Sequence, residues 1–182
     1  MKKVFIATLG CKVNQYESAS FKAGFKEAGL ELAGKDERAD IVVINSCTVT
    51  GSASAQSRQT IRRLARSNPE AKIIVTGCYA ELAADELAKE KELAGRDYTL
   101  IGNSKKDELV SSALQDFEAT TKIILGSIRD ASTICHLPVR RFGQRSRAYL
   151  RIQDGCESYC SYCIVPYTRG PSRSLLPEKV IE

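Results

Sequence analysis

Four short runs rich in Val and Ile punctuate the chain: residues 3–8 (KVFIAT), 40–45 (DIVVIN), 72–76 (KIIVT) and 98–101 (YTLI). Each is mostly apolar without alternation, the pattern of strands covered on both faces. Between them the apolar spacing widens to a helical period. Residues 17–28 place Phe21, Phe25 and Ala28 on one side, and Gly29 follows as a stop. Residues 54–65 open polar, then gather Ile61, Leu64 and Ala65 before Asn68-Pro69 closes the segment. Residues 81–93 and 106–114 continue the alternation. Strand and helix in regular succession predict an α/β fold, a doubly wound parallel sheet with helices on both faces.

The rhythm breaks over residues 116–144. Two short apolar runs, 122–125 and 132–136, precede Pro138 and a run of arginines, and the whole reads as a linker with a small hairpin. A new strand is expected at 149–153, leading into a cysteine-rich loop. Pro177 then opens a last helical turn over 178–182. No internal repeat or low-complexity segment is visible.

At 182 residues, with 43% hydrophobic and 27% charged residues, the chain has the composition of a soluble globular protein with a sizeable core. The net charge of +5 matters less than its placement. Arg140, Arg141, Arg145, Arg147, Arg151, Arg169 and Arg173 crowd the C-terminal part, a cluster suited to phosphates or a nucleic-acid backbone, or equally a solvated face. The opening MKKVFIATLGC mimics a lipoprotein signal, but its apolar part, residues 4–9, is shorter than the roughly 7–15 residues of a signal core. It reads better as a buried first strand. No stretch approaches the ~20 apolar residues of a membrane span, so a cytoplasmic protein is expected.

Seven cysteines spread over a chain this long do not suit a small secreted disulfide scaffold. They suit a reducing compartment and metal-bound thiolates. Cys11, Cys47 and Cys78 each follow a predicted strand within a few residues, in FIATLGC, IVVINSC and IIVTGC. The carboxyl ends of parallel strands share one edge, where ligands bind, so these thiols are expected to converge. Gly10 and Gly77, just before two of them, allow the backbone to approach a bulky group closely. The alternative is three buried small hydrophobes, a common fate of free cysteine. Cys156, Cys160 and Cys163 stand in a CxxxCxxC spacing that places three thiolates around one metal centre. Structural zinc takes four ligands, and only Cys135 and His136 are near enough to add a fourth. A four-iron cluster on three cysteines instead leaves one iron open to chelate amino and carboxylate groups. Cys135 is otherwise a spare thiol.

CxxxCxxC with an aromatic, Tyr162, before the last cysteine resembles the signature of radical S-adenosylmethionine (SAM) enzymes. GCESYCSYCIVPYTRG is similar to the methylthiotransferase branch of that family, and TLGCKVNQYES, NSCTVT and TGCYAE match the three motifs of its N-terminal domain. The resemblance covers nearly the whole chain. It implies a flavodoxin-like N-terminal domain over residues 1–115, a linker over 116–144 and, over 145–182, the first strand, loop and helix start of a partial TIM barrel. It implies that Cys156, Cys160 and Cys163, with Tyr162, hold a [4Fe-4S] cluster that binds and reductively cleaves SAM. Cys11, Cys47 and Cys78 would hold an auxiliary [4Fe-4S] cluster that takes a methyl group and provides sulfur.

The implied reaction replaces an unactivated C–H by C–SCH3, using two SAM molecules and electrons from a donor such as flavodoxin. The C2 hydrogen of an adenine is neither acidic nor hydridic, so acid–base catalysis cannot reach it and cofactors must carry the chemistry. GCKVNQYES is most similar to the subgroup acting on threonylcarbamoyladenosine next to the tRNA anticodon; other members modify isopentenyladenosine in tRNA or an aspartate of a ribosomal protein. The implied partner is the anticodon arm of tRNA. Family members are more than twice this length, so the chain is expected to be an N-terminal fragment, inactive alone. The competing class is a cluster-binding or electron-transfer module without catalysis.

Overall fold

A computed structural model describes residues 1–115, 121–139 and 148–181. Six strands make one wholly parallel sheet: β1 (Lys3–Thr8), β2 (Glu31–Leu32), β3 (Ile41–Ser46), β4 (Lys72–Gly77), β5 (Tyr98–Ile101) and β6 (Lys122–Ile124). Their spatial order is β2-β1-β3-β4-β5-β6. The chain moves outward from β1 to β2, returns, and continues on the other side from β3. That reversal creates a switch point between β1 and β3, where the carboxyl edge of a doubly wound sheet opens into a crevice.

Every residue of β3 and β4 is buried, which explains their unbroken apolar sequences. Alternate side chains feed two cores. Val43 and Ile74 join Val4, Phe21, Phe25, Ile101 and Leu109 beneath α1 (Lys12–Glu27) and α5 (Leu109–Leu114). Val42, Ile44, Ile73 and Val75 join Ile61, Leu64, Leu87 and Leu100 beneath α2 (Gly51–Ser67), α3 (Cys78–Leu82) and α4 (Ala84–Leu87). Each fully buried side chain of this kind contributes roughly 1.5–3 kcal/mol of transfer free energy. Thr50 caps α2 by accepting from the Ala53 amide at 3.1 Å. Buried Lys72 ties the end of α5 to the start of β4, donating to the carbonyls of Ser112 and Gln115 at 3.0 Å each.

Several elements differ from the sequence expectation. Helix α1 begins five residues before residue 17, because its first turns carry polar residues that are buried. The helix expected over 81–93 is two short helices followed by turns; Ala83, Ala84, Leu87 and Leu93 are all buried, but the chain bends between them. Residues 106–114 divide into the end of a 3-10 segment, Asn103–Glu108, and α5. Residues 122–124 do not form a hairpin with 132–136; they add a sixth strand parallel to β5. The strand expected at 149–153 shrinks to β7 (Gln153–Asp154), paired antiparallel with β8 (Arg173–Ser174). Between these two strands lies α6 (Val165–Arg169), which packs on α3 and the 3-10 segment. The last turn is α7 (Pro177–Ile181). No helix among the described residues is long and apolar enough to cross a membrane.

Candidate functional site

The loops after β1, β3 and β4 deliver Cys11, Cys47 and Cys78 to the same edge of the sheet. Cys11 stands at the N-cap of α1 and is exposed, Cys47 is buried behind it, and Cys78 opens α3, also buried. The backbone between them is crowded. Gly10 has φ +88, and a Cβ there would lie 2.6 Å from both Cβ and Sγ of Cys47. Gly77 has φ +95, and its Cβ would lie 2.2 Å from the Ser46 carbonyl oxygen. Only glycine satisfies both the conformation and the space.

Asn14 holds the first two loops together. Its Nδ2 donates to the Leu9 carbonyl at 2.8 Å and to the Ser46 carbonyl at 2.9 Å, and the Cys11 thiol lies 3.6 Å from its Oδ1. Ser57 of α2 brackets Cys47, accepting from its amide at 3.1 Å and donating to its carbonyl at 2.7 Å. Burial pushes the Cys47 thiol up, and the neighbouring Cys78 and Cys11 sulfurs raise it further. As placed, no group of three or more Cys, His, Asp or Glu side chains among the described residues is close enough to hold a metal ion. The loops share an edge; their sulfurs are not gathered to a point.

Behind this edge lies a buried set of charges. Glu17, 1% exposed, accepts from Lys106 Nζ at 2.5 Å, Arg169 Nη1 at 3.1 Å and Asn45 Nδ2 at 3.1 Å. Burial works to raise the Glu17 carboxyl, but Arg169 and Lys106 together hold it down at about 2. Arg169 also reaches Asp154 Oδ1 at 3.1 Å and Asn14 Oδ1 at 2.9 Å. Burial opposes the Arg169 charge, yet Glu17, the nearby Cys78 sulfur and Asp154 raise its pKa well above the ordinary value. Asn103 donates to the Thr168 carbonyl at 2.5 Å and lies 3.9 Å from Cys78 Sγ, while its Oδ1 is buried without a hydrogen bond.

The second cysteine set occupies the loop between β7 and α6. The Cys156 amide donates to the Gly170 carbonyl at 3.0 Å, and the Cys163 amide to the Cys160 carbonyl at 2.9 Å. Hydrogen bonds from the amide and hydroxyl of Ser158 lower the Cys156 pKa. Tyr159 adopts a left-handed backbone at φ 43 between two of the cysteines and stacks edge-on against Tyr167, their ring centroids 5.8 Å apart. Tyr162 is 87% exposed. Cys135, the spare thiol, donates to the Asn103 carbonyl at 3.4 Å; burial raises its pKa.

The arginine cluster divides. Arg151, Arg169 and Arg173 are buried, at 8%, 5% and 8% exposure, and spend their hydrogen bonds on protein groups, so they are neither a solvated face nor open to phosphates. Arg140, Arg141, Arg145 and Arg147 lie outside the described residues. Sequence reasoning missed Glu17, Asn14 and Lys106 as site residues. The only signal for Asn14 and Glu17 was polar residues at positions where α1 must face the sheet.

The donor set fits iron–sulfur ligation: two groups of three thiols, with glycines where a side chain would block the approach of the loops. Comparison with known proteins gives the family. Residues 3–96 match the model described as "Uncharacterized protein family UPF0004". The chain is 40% identical over 183 residues to threonylcarbamoyladenosine tRNA methylthiotransferase MtaB of Bacillus subtilis, covering 100% of this chain and 40% of that protein. It is 36% identical over 180 residues to the protein of the same name in Aquifex aeolicus, covering 98% and 43%. To ribosomal protein uS12 methylthiotransferase RimO of Desulfitobacterium hafniense it is 30% identical over 184 residues, covering 99% and 40%. The chain belongs to the UPF0004 family, and these curated relatives are methylthiotransferases. It spans about two fifths of their length.

Proposed function

We propose that the chain is part of a cytoplasmic radical SAM methylthiotransferase that adds a methylthio group to C2 of N6-threonylcarbamoyladenosine next to the anticodon of tRNA. On this reading Cys11, Cys47 and Cys78 hold an auxiliary [4Fe-4S] cluster, and Cys156, Cys160 and Cys163, with Tyr162 beside them, hold the cluster that binds SAM. Residues 1–115, with the sixth strand that 122–124 adds to their sheet, are the auxiliary domain, the rest of 116–144 the linker and 145–182 the start of the SAM-binding domain. The observation that carries the reading is the delivery of three cysteine loops to one sheet edge, with the C-terminal cysteine segment packed behind it. When bound, the clusters and SAM supply the one-electron cleavage and the sulfur, with electrons from a donor such as flavodoxin.

The protein's own residues prepare the site. Asn14 and Ser57 fix the backbone on either side of Cys11 and Cys47. Gly10 and Gly77 keep the loops close without steric conflict. Ser158 favours the thiolate of Cys156, the form that ligates metal. The substrate assignment draws on the two MtaB relatives at 36% and 40% identity. A ribosomal-protein aspartate is the second reading, supported by the 30% match to RimO.

Mass analysis of nucleosides from tRNA tests the choice. The protein, expressed from its complete gene, is introduced into a host lacking methylthiotransferases. Methylthiolated threonylcarbamoyladenosine is the expected product. A methylthio group on isopentenyladenosine or on ribosomal protein uS12, with unmodified threonylcarbamoyladenosine, would overturn the substrate assignment.

A further inference from the structure

We propose that Arg169 is a positioning residue whose buried guanidinium registers the Cys156–Cys160–Cys163 loop against the edge bearing Cys11, Cys47 and Cys78, a role that rests on the cysteine reading above. Three consecutive residues at the end of α6 bond Cys156 directly and reach Cys11, Cys47 and Cys78 through Asn14 and Asn103. The Thr168 carbonyl is held by Asn103 Nδ2, which lies 3.9 Å from Cys78 Sγ. Arg169 donates to Asn14 Oδ1, the same oxygen that faces the Cys11 thiol, while Asn14 Nδ2 holds the Ser46 carbonyl just before Cys47. The Gly170 carbonyl accepts the Cys156 amide. On its other side Arg169 shares Nη1 between Glu17 on α1 and Asp154, two residues before Cys156.

A guanidinium suits this post because its rigid planar fork reaches acceptors in several directions at once, which a single ammonium cannot. Burying the charge is tolerated only because every acceptor is in place, so the interaction specifies one arrangement of the two segments. Glu17 and Asp154 face Lys106, Arg169 and Arg173, and Glu81, which accepts the Asn103 amide at 2.7 Å, lies near Lys106 as well.

Hydrogen exchange on the full chain tests the role without requiring a cluster. In Arg169→Met, peptides spanning 9–16 and 154–170 should exchange about tenfold faster or more, while β3 and β4 keep their protection. Arg169→Lys, retaining charge but not the fork, should fall between the two. Asp154→Asn should loosen 154–170 and leave 9–16 unchanged. Unaltered protection in Arg169→Met, or loosening spread equally over the whole sheet, would overturn the proposal. So would full rescue by Lys. Should Arg169→Met fail to fold, Asp154→Asn decides: equal loosening on both sides, or none, contradicts registration. Iron binding, measured separately, bears on the cysteine reading alone.

Discussion

Replacing Glu17 by Gln removes the one negative charge that Lys106 and Arg169 share in the interior. The carboxylate is 1% exposed and lies 2.5 Å from Lys106 Nζ and 3.1 Å from Arg169 Nη1. Despite a burial cost that works upward, these cations hold it at about 2, against an ordinary 4.5. At ~1.4 kcal/mol per pH unit, that displacement corresponds to ~3 kcal/mol of stability linked to ionisation. Because the folded value is depressed, this contribution is present above about pH 4.5 and is lost as pH falls towards 2. Glutamine leaves Lys106 without its paired carboxylate and Arg169 with Asp154 alone, and breaking a buried pair costs ~3–5 kcal/mol. Against a total of ~5–15 kcal/mol for a domain of ordinary size, the loss is large but measurable. Urea unfolding, followed by circular dichroism from about pH 7 to pH 3, reads both quantities. The variant should be ~3–5 kcal/mol less stable at neutral pH, and the gap should narrow on acidification. A gap below ~1 kcal/mol, or one that stays constant down to pH 3, would refute the assigned charge balance.

Gly77→Ala should cost ~3 kcal/mol or more, because its Cβ would lie 2.2 Å from the Ser46 carbonyl at φ +95; Gly29→Ala, at φ +82 in open space, should cost only ~1 kcal/mol. Equal losses in thermal unfolding would remove the steric argument. Arg62→Ala should change stability little, since the Arg62 end of its forked pair with Glu90 is exposed, and chemical unfolding checks this directly. If the protein acts on tRNA as proposed, replacing Arg140, Arg141, Arg145 and Arg147 together by Ala, in protein expressed from the complete gene, should weaken tRNA binding and flatten its salt dependence. The slope should fall by roughly one for each phosphate that is no longer neutralised, and filter binding that shows an unchanged slope would assign these arginines elsewhere.

The parts of the fold that the sequence revealed are those governed by local pattern. β3 and β4 are apolar throughout because both faces are covered, so their identity needed no knowledge of neighbours. The shared edge of Cys11, Cys47 and Cys78 followed from their positions just after strands of a parallel sheet. What stayed hidden depends on distant partners. A three-residue apolar run at 122–124 says nothing about whether it pairs back in a hairpin or joins β5 in parallel, as it does. Glu17 and Arg169 lie 152 residues apart and look like surface charges until folding buries them together. The early start of α1 was obscured for the same reason: Asn14 and Glu17 break the apolar period because they serve the edge rather than the core.

Anaerobic reconstitution of the chain with iron and sulfide is the most direct test of two independent cysteine sites. The unaltered protein should take up two four-iron clusters. Cys156→Ala, Cys160→Ala or Cys163→Ala should each lose one and spare the other, and Cys11→Ala, Cys47→Ala or Cys78→Ala should do the reverse. Uptake of a single cluster, or loss of both when any one cysteine is replaced, would contradict the account.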